Sequence, residues 1–339
     1  MSEKKICAIV VTFNRKQLLL ECLSGLLKQS RSISRIVLID NQSTDGTPLL
    51  LKESGYIIDH QSIVSSKLIL ASSKNSIQLD YKRLPVNSGG AGGFSEGMKL
   101  ALEGEGDFFW IMDDDAEPNV NSLELLLDGN EDDVVALACS VVDTQNQFCL
   151  LHRGRFDFKE IYPTVQKPIE EELYKEKSIE IHAASFVGLA VKREAMIQAG
   201  FPIKEFFIHN DDMEYCIRLS RLGRILMIPE SRILHKEVTK SLPKPTKTFF
   251  NKNVNMVPYQ ELWIRFFGLR NLIWIGRKYS TSKFVFYIRT TMNLLRNLKN
   301  AILYEDHKIN RVLFLLHQTF DGLFGRFDNE KPKRILYKK

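Results

Sequence analysis

Residues 108–118 read FFWIMDDDAEP. Five apolar residues run without a break into three aspartates. A short, wholly apolar run predicts a strand buried on both faces, as in a parallel sheet. Three adjacent carboxylates at its end repel one another, which raises the cost of ionising them all. A bound divalent cation removes that cost. Hard oxygen ligands suit Mg2+ or Mn2+, ions that usually share their coordination with substrate phosphates. The plainer alternative is a solvated acidic turn capping the next helix. The buried strand and a glycine-rich run just upstream favour the cation.

Working outward, ICAIVVT (6–12) and RIVLID (35–40) are two more buried-strand patterns. QLLLECLSGLLKQS between them has apolar residues at helical spacing. After Asp40 comes the turn signal NQSTDGTP, then a helix with Thr47 expected as N-cap and Pro48 at its first position. Residues 56–80 are ambiguous, and YKRLPV (81–86) is a further strand. Strand alternating with helix predicts an α/β fold, a mostly parallel doubly wound sheet. Ligands in such sheets sit at the carboxyl ends of the strands. Thr12, Asp40, Asn87 and Asp113 all lie just past such ends and can converge on one crevice.

The run NSGGAGGFSEG (87–97) has four glycines in five positions, with the next helix expected to begin near Phe94. Glycines let backbone N–H groups approach a ligand, and a helix start favours an anion. The run is not a Walker loop, because Met98 precedes Lys99 where GK[ST] is required. A tight turn needing positive φ is the structural alternative, but one or two glycines would satisfy it.

The chain has 339 residues, 44% hydrophobic and 26% charged, a globular composition long enough for two domains. Five scattered cysteines without CxxC spacing favour reduced thiols in a cytosolic protein over a disulfide frame. The opening MSEKKICAIVVTF does not read as a signal peptide, and no apolar run is long enough to span a membrane. The formal net charge of +6 is concentrated after Lys240, where aromatics are interleaved with Lys and Arg. Nucleic acid and an anionic membrane surface both fit that charge.

VVTFNRKQLLLECLSGLLKQS, VLIDNQSTDGT, NSGGAGGF and WIMDDDAEP, in this order, resemble the nucleotide-sugar transferases of glycosyltransferase family 2. The likeness covers roughly residues 5–240 and is strongest to the branch of galactofuranosyltransferases and bacterial rhamnosyltransferases. It implies the GT-A fold, a Rossmann-like domain with a metal-binding Asp-x-Asp element. It also implies a UDP or dTDP sugar donor, a glycan or lipid-linked acceptor, and no nucleic-acid partner. By the resemblance Thr12 and Arg15 lie near the nucleotide, while Asp40 and Asn41 contact its base and ribose. Many relatives have Asp-Asp there, so Asn41 is a departure. Asn87, Gly90, Gly92 and Asp114 join the donor site. Asp113 faces the ribose or sugar and contributes to the metal site, and Asp115 binds the Mn2+ or Mg2+.

The second half supplies the rest of the expected site. HAASFVGLAVKREAMIQAG reads as a strand running into a helix, and the resemblance puts it, with Gly188, near the acceptor. Asp211, Asp212 and Glu214 open another helix. Carboxylates there complement a helix dipole, but the family pattern assigns the general base to Asp212, with Asp211 as its rival and Glu214 beside the acceptor. RILMIPESRILH ends in His235, which by resemblance completes the metal shell. An inverting transfer needs such a base opposite the departing diphosphate and no covalent intermediate. The other class to weigh is a nucleotidyltransferase making a nucleotide sugar. Its glycine loop belongs near the N-terminus, and it has no use for the late Asp-Asp-x-Glu…His set.

The expected organisation is a catalytic domain over 1–240, with a donor half (1–118) and an acceptor half (119–240). A linker over 241–250 and a helical region over 251–339 follow. Its three helical patterns mix bulky apolar residues with Arg and Lys. They can pack as a bundle, lie on an anionic membrane with Trp263, Phe266, Phe267 and Trp274 in the interface, or do both. The expected location is cytoplasmic, peripheral at the inner face of the membrane, and an oligomer is compatible with the sequence.

Overall fold

The computed structural model describes residues 4–59, 63–69, 76–159, 161–162, 166–236, 246–249, 252–255 and 257–337. They divide into two compact units. The first comprises Met1–Arg155, Pro168–Lys204 and Asp212–Val238; the second comprises Phe156–Lys167, Glu205–Asp211 and Thr239–Lys339. Two short excursions from the first 240 residues, 156–167 and 205–211, therefore belong to the second unit.

In the first unit, β1 (Ile6–Thr12), β2 (Arg35–Asp40), β4 (Ser76–Arg83) and β5 (Phe108–Asp113) pair in parallel in the spatial order β5-β1-β2-β4. Every residue of β1 and β2 is buried, which is why both read as apolar runs, with charge in β2 confined to its end residues Arg35 and Asp40. The ambiguous stretch holds β3 (Ile63–Ile69), antiparallel to β4 at the edge. β4 starts earlier than its apolar residues suggest, because Ser76, Gln78 and Lys82 share the strand with buried Ile77, Leu79 and Tyr81. Helices α1 (Lys16–Leu27), α2 (Thr47–Glu53) and α3 (Gly89–Leu102) provide the connections. Thr47 is itself the first residue of α2 rather than its cap, with Gly46 before it at φ 91°.

Beyond β5 the sheet turns mixed. β6 (Ala116–Pro118), α4 (Ser122–Asp128), β7 (Val134–Val142), the short β8 (Arg153–Arg155), β9 (Lys167–Pro168), β10 (Ile179–Ile181) and β11 (Ala183–Ala184) come next. Then follow β12 (Leu189–Lys192), α5 (Arg193–Ala199), α6 (Asp211–Leu219) and β13 (Arg224–His235). β12 runs antiparallel between β5 and β7, and β13 pairs in parallel with β7. Antiparallel pairing with β6 sets Ile233, Leu234 and His235 against Pro118, Glu117 and Ala116. This ladder carries the end of β13 back to the aspartate triplet.

The second unit holds the hairpin β14 (Thr246–Phe249) and β15 (Lys252–Asn255), with α7 (Leu262–Tyr279), α8 (Lys283–Tyr304), α9 (Lys308–Phe324) and α10 (Lys331–Tyr337). The expected linker over 241–250 falls outside the described residues apart from β14. Leu262, Phe266, Phe267, Phe314 and Leu336 form one apolar core. Phe266 and Phe267 are fully buried, so they cannot lie in a membrane interface as expected from the sequence. Phe207, His209 and Asn210 take left-handed φ values of 65°, 69° and 63°. Asn271 Nδ2 donates to the carbonyls of Phe206, Ile208 and His209, and Arg270 Nη2 to those of Glu205 and Phe206. These buried donors hold the strained segment in place.

Candidate active site

The three aspartates are tolerated because they point into different surroundings. The register of β1 on β5 sets Val11 opposite Asp113, so Thr12 lies beside Asp114. Asp114 Oδ2 accepts from Thr12 Oγ1 at 2.7 Å and from Phe13 N at 3.2 Å. Burial raises its pKa to about 6, against those bonds and the nearby Arg15. Asp114 is thus a buried strut tying β5 to the end of β1, rather than the donor contact expected from the sequence.

Asp113 and Asp115 have a different neighbour. Oxygens of both and a ring nitrogen of His235 lie within 4.8 Å of one another. His235 Nε2 is 3.3 Å from Asp115 Oδ1, and Arg15 Nη1 is 2.9 Å from Asp115 Oδ2 and 3.3 Å from Asp114 Oδ1. Burial opposes the charge of Asp115, but His235 and Arg15 outweigh it and hold the carboxyl below its ordinary range. Asp115 Oδ1 is buried without a hydrogen-bond partner among the described residues, so the approach of His235 is an electrostatic contact. A buried, unbonded carboxylate oxygen facing an imidazole and a second carboxylate suits a divalent cation. Two ligands at right angles on an ion of this size stand about 3 Å apart. The donor set therefore fits Mn2+ or Mg2+.

Asp40 and Asn41 lie underneath the loops. Asp40 is fully buried, with Ser43 N at 2.7 Å on Oδ1 and Tyr81 OH at 2.8 Å on Oδ2. Asn41 donates Nδ2–H to Gly89 O at 2.9 Å and accepts from Ser88 N at 2.9 Å. Only an amide can do both, which explains the departure from Asp. Both residues shape the crevice and do not face it. Asn87 Oδ1 accepts from Gly89 N at 2.9 Å, an Asx-type entry to α3.

The glycine run is not a loop, because α3 begins at Gly89. A Cβ at Gly93 would meet Val11 Cγ1 at 2.5 Å, and one at Gly97 would meet Ile9 Cγ2 at 2.7 Å. These glycines let the helix lie close on β1. A Cβ at Gly92 would meet Ser88 Cβ at 2.5 Å, whereas Gly90 has open space around it. Gly90 alone keeps the character of a ligand-facing position.

Asp212 lies half-buried in the first turn of α6, and Met213 N donates to its Oδ1 at 2.7 Å. Burial raises its pKa to about 6, opposed by those amides and by Arg153. Asp211 is buried, on the other side of the unit boundary. Two acceptor assignments fail on geometry. Glu214 is fully buried and paired to Arg218 Nη2 at 2.8 Å. Gly188, at φ 80°, packs where a Cβ would meet Ile233 Cδ1 at 2.3 Å. Both are structural.

His152 was not marked by the sequence, and Ser185 was covered only by the HAASFVG stretch expected near the acceptor. The His152 ring lies 5.1 Å from that of His235, and its Nδ1 is 2.7 Å from Ser185 Oγ. Burial, with Arg153 and His235 nearby, lowers its pKa to about 3, so the ring is neutral.

A mostly parallel sheet with carboxylates and an imidazole gathered at the strand ends is the GT-A architecture of nucleotide-sugar glycosyltransferases. Among solved structures, GalNAc-T7 with UDP, GalNAc and Mn2+ superposes with a TM-score of 0.57 at 13% identity, over 96% of this chain and 57% of that one. TarS 1-349 of S. aureus with UDP-GlcNAc gives 0.53 at 13% identity, over 98% and 84%. The family model "Glycosyl transferase family 2" matches residues 7–200, and the chain belongs to that family. It is 27% identical over 229 residues to galactofuranosyltransferase GlfT1 of Mycolicibacterium smegmatis, covering 64% of this chain and 66% of that one. It is 26% identical over 228 residues to GlfT1 of Mycobacterium tuberculosis, covering 65% and 66%. The chain thus matches 66% of the length of these relatives.

Proposed function

We propose that this glycosyltransferase is an inverting, metal-dependent enzyme. It moves galactofuranose, or alternatively rhamnose, from a UDP or dTDP donor to a cell-surface glycan or lipid-linked acceptor. The observation that carries the reading is the cluster Asp113, Asp115 and His235, with the unbonded Asp115 Oδ1 at its centre. The likeness to GlfT1 favours galactofuranose. UDP with Mn2+ in GalNAc-T7, and UDP-GlcNAc in TarS, support a uridine nucleotide and a metal.

Asp113, Asp115 and His235 would hold the ion. When bound, it supplies positive charge that offsets the departing diphosphate. Arg15, with its side chain 36% exposed, holds Asp114 and Asp115 in place and offers a cation at the mouth. Gly89 N is taken by Asn87, so it is the first turn of α3 at Gly90 that presents the positive end of the helix to the donor. Asp212 takes the proton from the acceptor hydroxyl as that oxygen attacks the anomeric carbon. With a pKa of about 6 it is ionised at neutral pH, yet close enough to that pH to accept a proton. The test is a screen of UDP-galactofuranose and dTDP-rhamnose for slow donor hydrolysis, with Mn2+ and with a chelator. Unchanged hydrolysis with a chelator would remove the metal.

The membrane contact moves from α7 to α8. Phe284, Ile288, Met292 and Leu295 form a stripe at helical spacing, 43–75% exposed. The helix contains Lys283, Arg289, Arg296 and Lys299 and no carboxylate. A basic amphipathic helix of this kind fits an anionic lipid surface at the inner face of the membrane. No described helix is long and apolar enough to cross a membrane.

A further inference from the structure

His152 occupies a place in the site that the metal cluster and the base leave unassigned. Its ring lies edge-on to His235 at 5.1 Å. Its Nδ1 is 2.7 Å from Ser185 Oγ, which also accepts from Arg153 Nη1 at 3.3 Å. The main chain of the same turn is fixed as well. His152 O accepts from Ser185 N at 3.0 Å and from Arg153 Nη1 at 2.8 Å.

Arg153 is fully buried and donates to the carbonyls of Cys139 and Val187 at 2.7 and 2.5 Å. The carboxylate whose field reaches it is Asp212. The Ser185 loop also abuts the helix of Asp212, since Cys216 Sγ donates to Ala184 O at 3.3 Å and the Phe186 and Tyr215 rings lie 5.8 Å apart. A continuous chain of contacts therefore leads from His235 through His152, Ser185 and Arg153 towards Asp212.

Inversion requires the sugar ring to lie between the departing diphosphate and the base, on opposite faces of the anomeric carbon. We propose that His152, held by Ser185, is a sugar-binding residue that hydrogen-bonds a hydroxyl of the transferred hexose between the metal cluster and Asp212. Nδ1 is used by Ser185, and Nε2 takes no bond among the described residues, so Nε2 is the atom that meets the hydroxyl. His152 does not belong to the ligand cluster itself. The inference rests on the transferase reading of Asp115, His235 and Asp212.

The experiment compares a bare nucleotide with its sugar conjugate. Full-length wild type, His152→Ala and His152→Gln are titrated calorimetrically with Mn2+ plus UDP, and with Mn2+ plus UDP-galactofuranose. The dTDP and dTDP-rhamnose pair is run in parallel. His152→Ala should bind the bare diphosphate within about twofold of wild type but its sugar conjugate about tenfold more weakly or worse. His152→Gln, which keeps a polar end, should recover part of the loss. An equal loss for nucleotide and conjugate would make His152 a support of the metal ligands and overturn the proposal. Unaltered binding of both conjugates would overturn it too. A cooperative thermal unfolding transition shows that a variant is folded, and if the alanine variant fails that check the glutamine variant carries the comparison. Wild type binding neither conjugate would sink the transferase reading itself, and the proposal with it.

Discussion

Gly90 separates a ligand-facing helix start from glycines that serve packing. A methyl group at Gly90 meets nothing within 4 Å, and the residue is not in the left-handed region. In the first turn of α3, Gly90→Ala should leave the apo protein unchanged or more stable by up to about 1 kcal/mol, the helix propensity difference. Gly93→Ala differs, because its Cβ would lie 2.5 Å from Val11 Cγ1 on a fully packed strand. Overpacking of that kind costs roughly 1–3 kcal/mol. If the N–H groups at the start of α3 approach the donor diphosphate, the Gly90 methyl obstructs the ligand. Affinity should then fall at least tenfold, about 1.4 kcal/mol, while Tm is held or raised. Gly93→Ala should lower Tm, and its remaining folded fraction should bind normally. Thermal unfolding of the apo proteins and calorimetric titration with UDP and Mn2+ read both quantities. Normal UDP affinity in Gly90→Ala would show that the helix start does not contact the diphosphate.

Asp115→Ala should abolish transfer and Mn2+-dependent UDP binding, and equal UDP affinity with and without Mn2+ in wild type would refute the cation. Asp212→Asn should lower kcat by about 10²–10⁴-fold with UDP affinity kept. In wild type, kcat/KM should fall as pH drops through about 6, where the carboxylate takes up a proton; an acid limb surviving in Asp212→Asn would assign it elsewhere. Asn41→Asp removes the Nδ2–H bond to Gly89 O and should destabilise the fold by about 1–3 kcal/mol, read as the denaturation midpoint. Met292→Glu with Leu295→Glu on α8 should release the protein from anionic vesicles at low salt without changing donor hydrolysis, and undiminished sedimentation would remove the membrane contact.

The parallel half of the fold was legible because it is buried on both faces. β1, β2 and β5 announce themselves by apolar runs broken only at the strand ends. β3, IVSSKLI, did not, and β4 was read only from Tyr81 onward, because the alternating Ser76–Asp80 half of that near-edge strand carries too few apolar residues to stand out as a buried run. The glycines were seen but misplaced. A glycine-rich start of helix and a glycine loop look the same in sequence, and only the approach of Gly93 and Gly97 to β1 tells them apart. Phe266 and Phe267 failed in the opposite direction, since aromatics interleaved with arginines fit a membrane face and a packed core equally. Their burial against Phe314 and Leu336 comes from helices distant in sequence.

The aspartate triplet shows why side-chain roles are harder to extract than elements. Its three members are chemically identical, and the chain alone cannot say which is buried. That is decided by the offset between β1 and β5, which hands Asp114 to Thr12 and Phe13, and by the ladder of β13 on β6, which brings His235 to Asp115. One carboxylate is thereby raised to a pKa of about 6 by burial, and its neighbour is held low by His235 and the Arg15 guanidinium against the same burial. Repulsion within the triplet is relieved by separating these roles before any ion binds. An ion binding beside Asp115 then meets a carboxylate that is already charged, so no proton has to be displaced from it. The strand offset and the β6–β13 ladder do the separating, which is why Asp114, buried against Thr12 and Phe13, belongs to the design of the site as much as the carboxylates that face the ion.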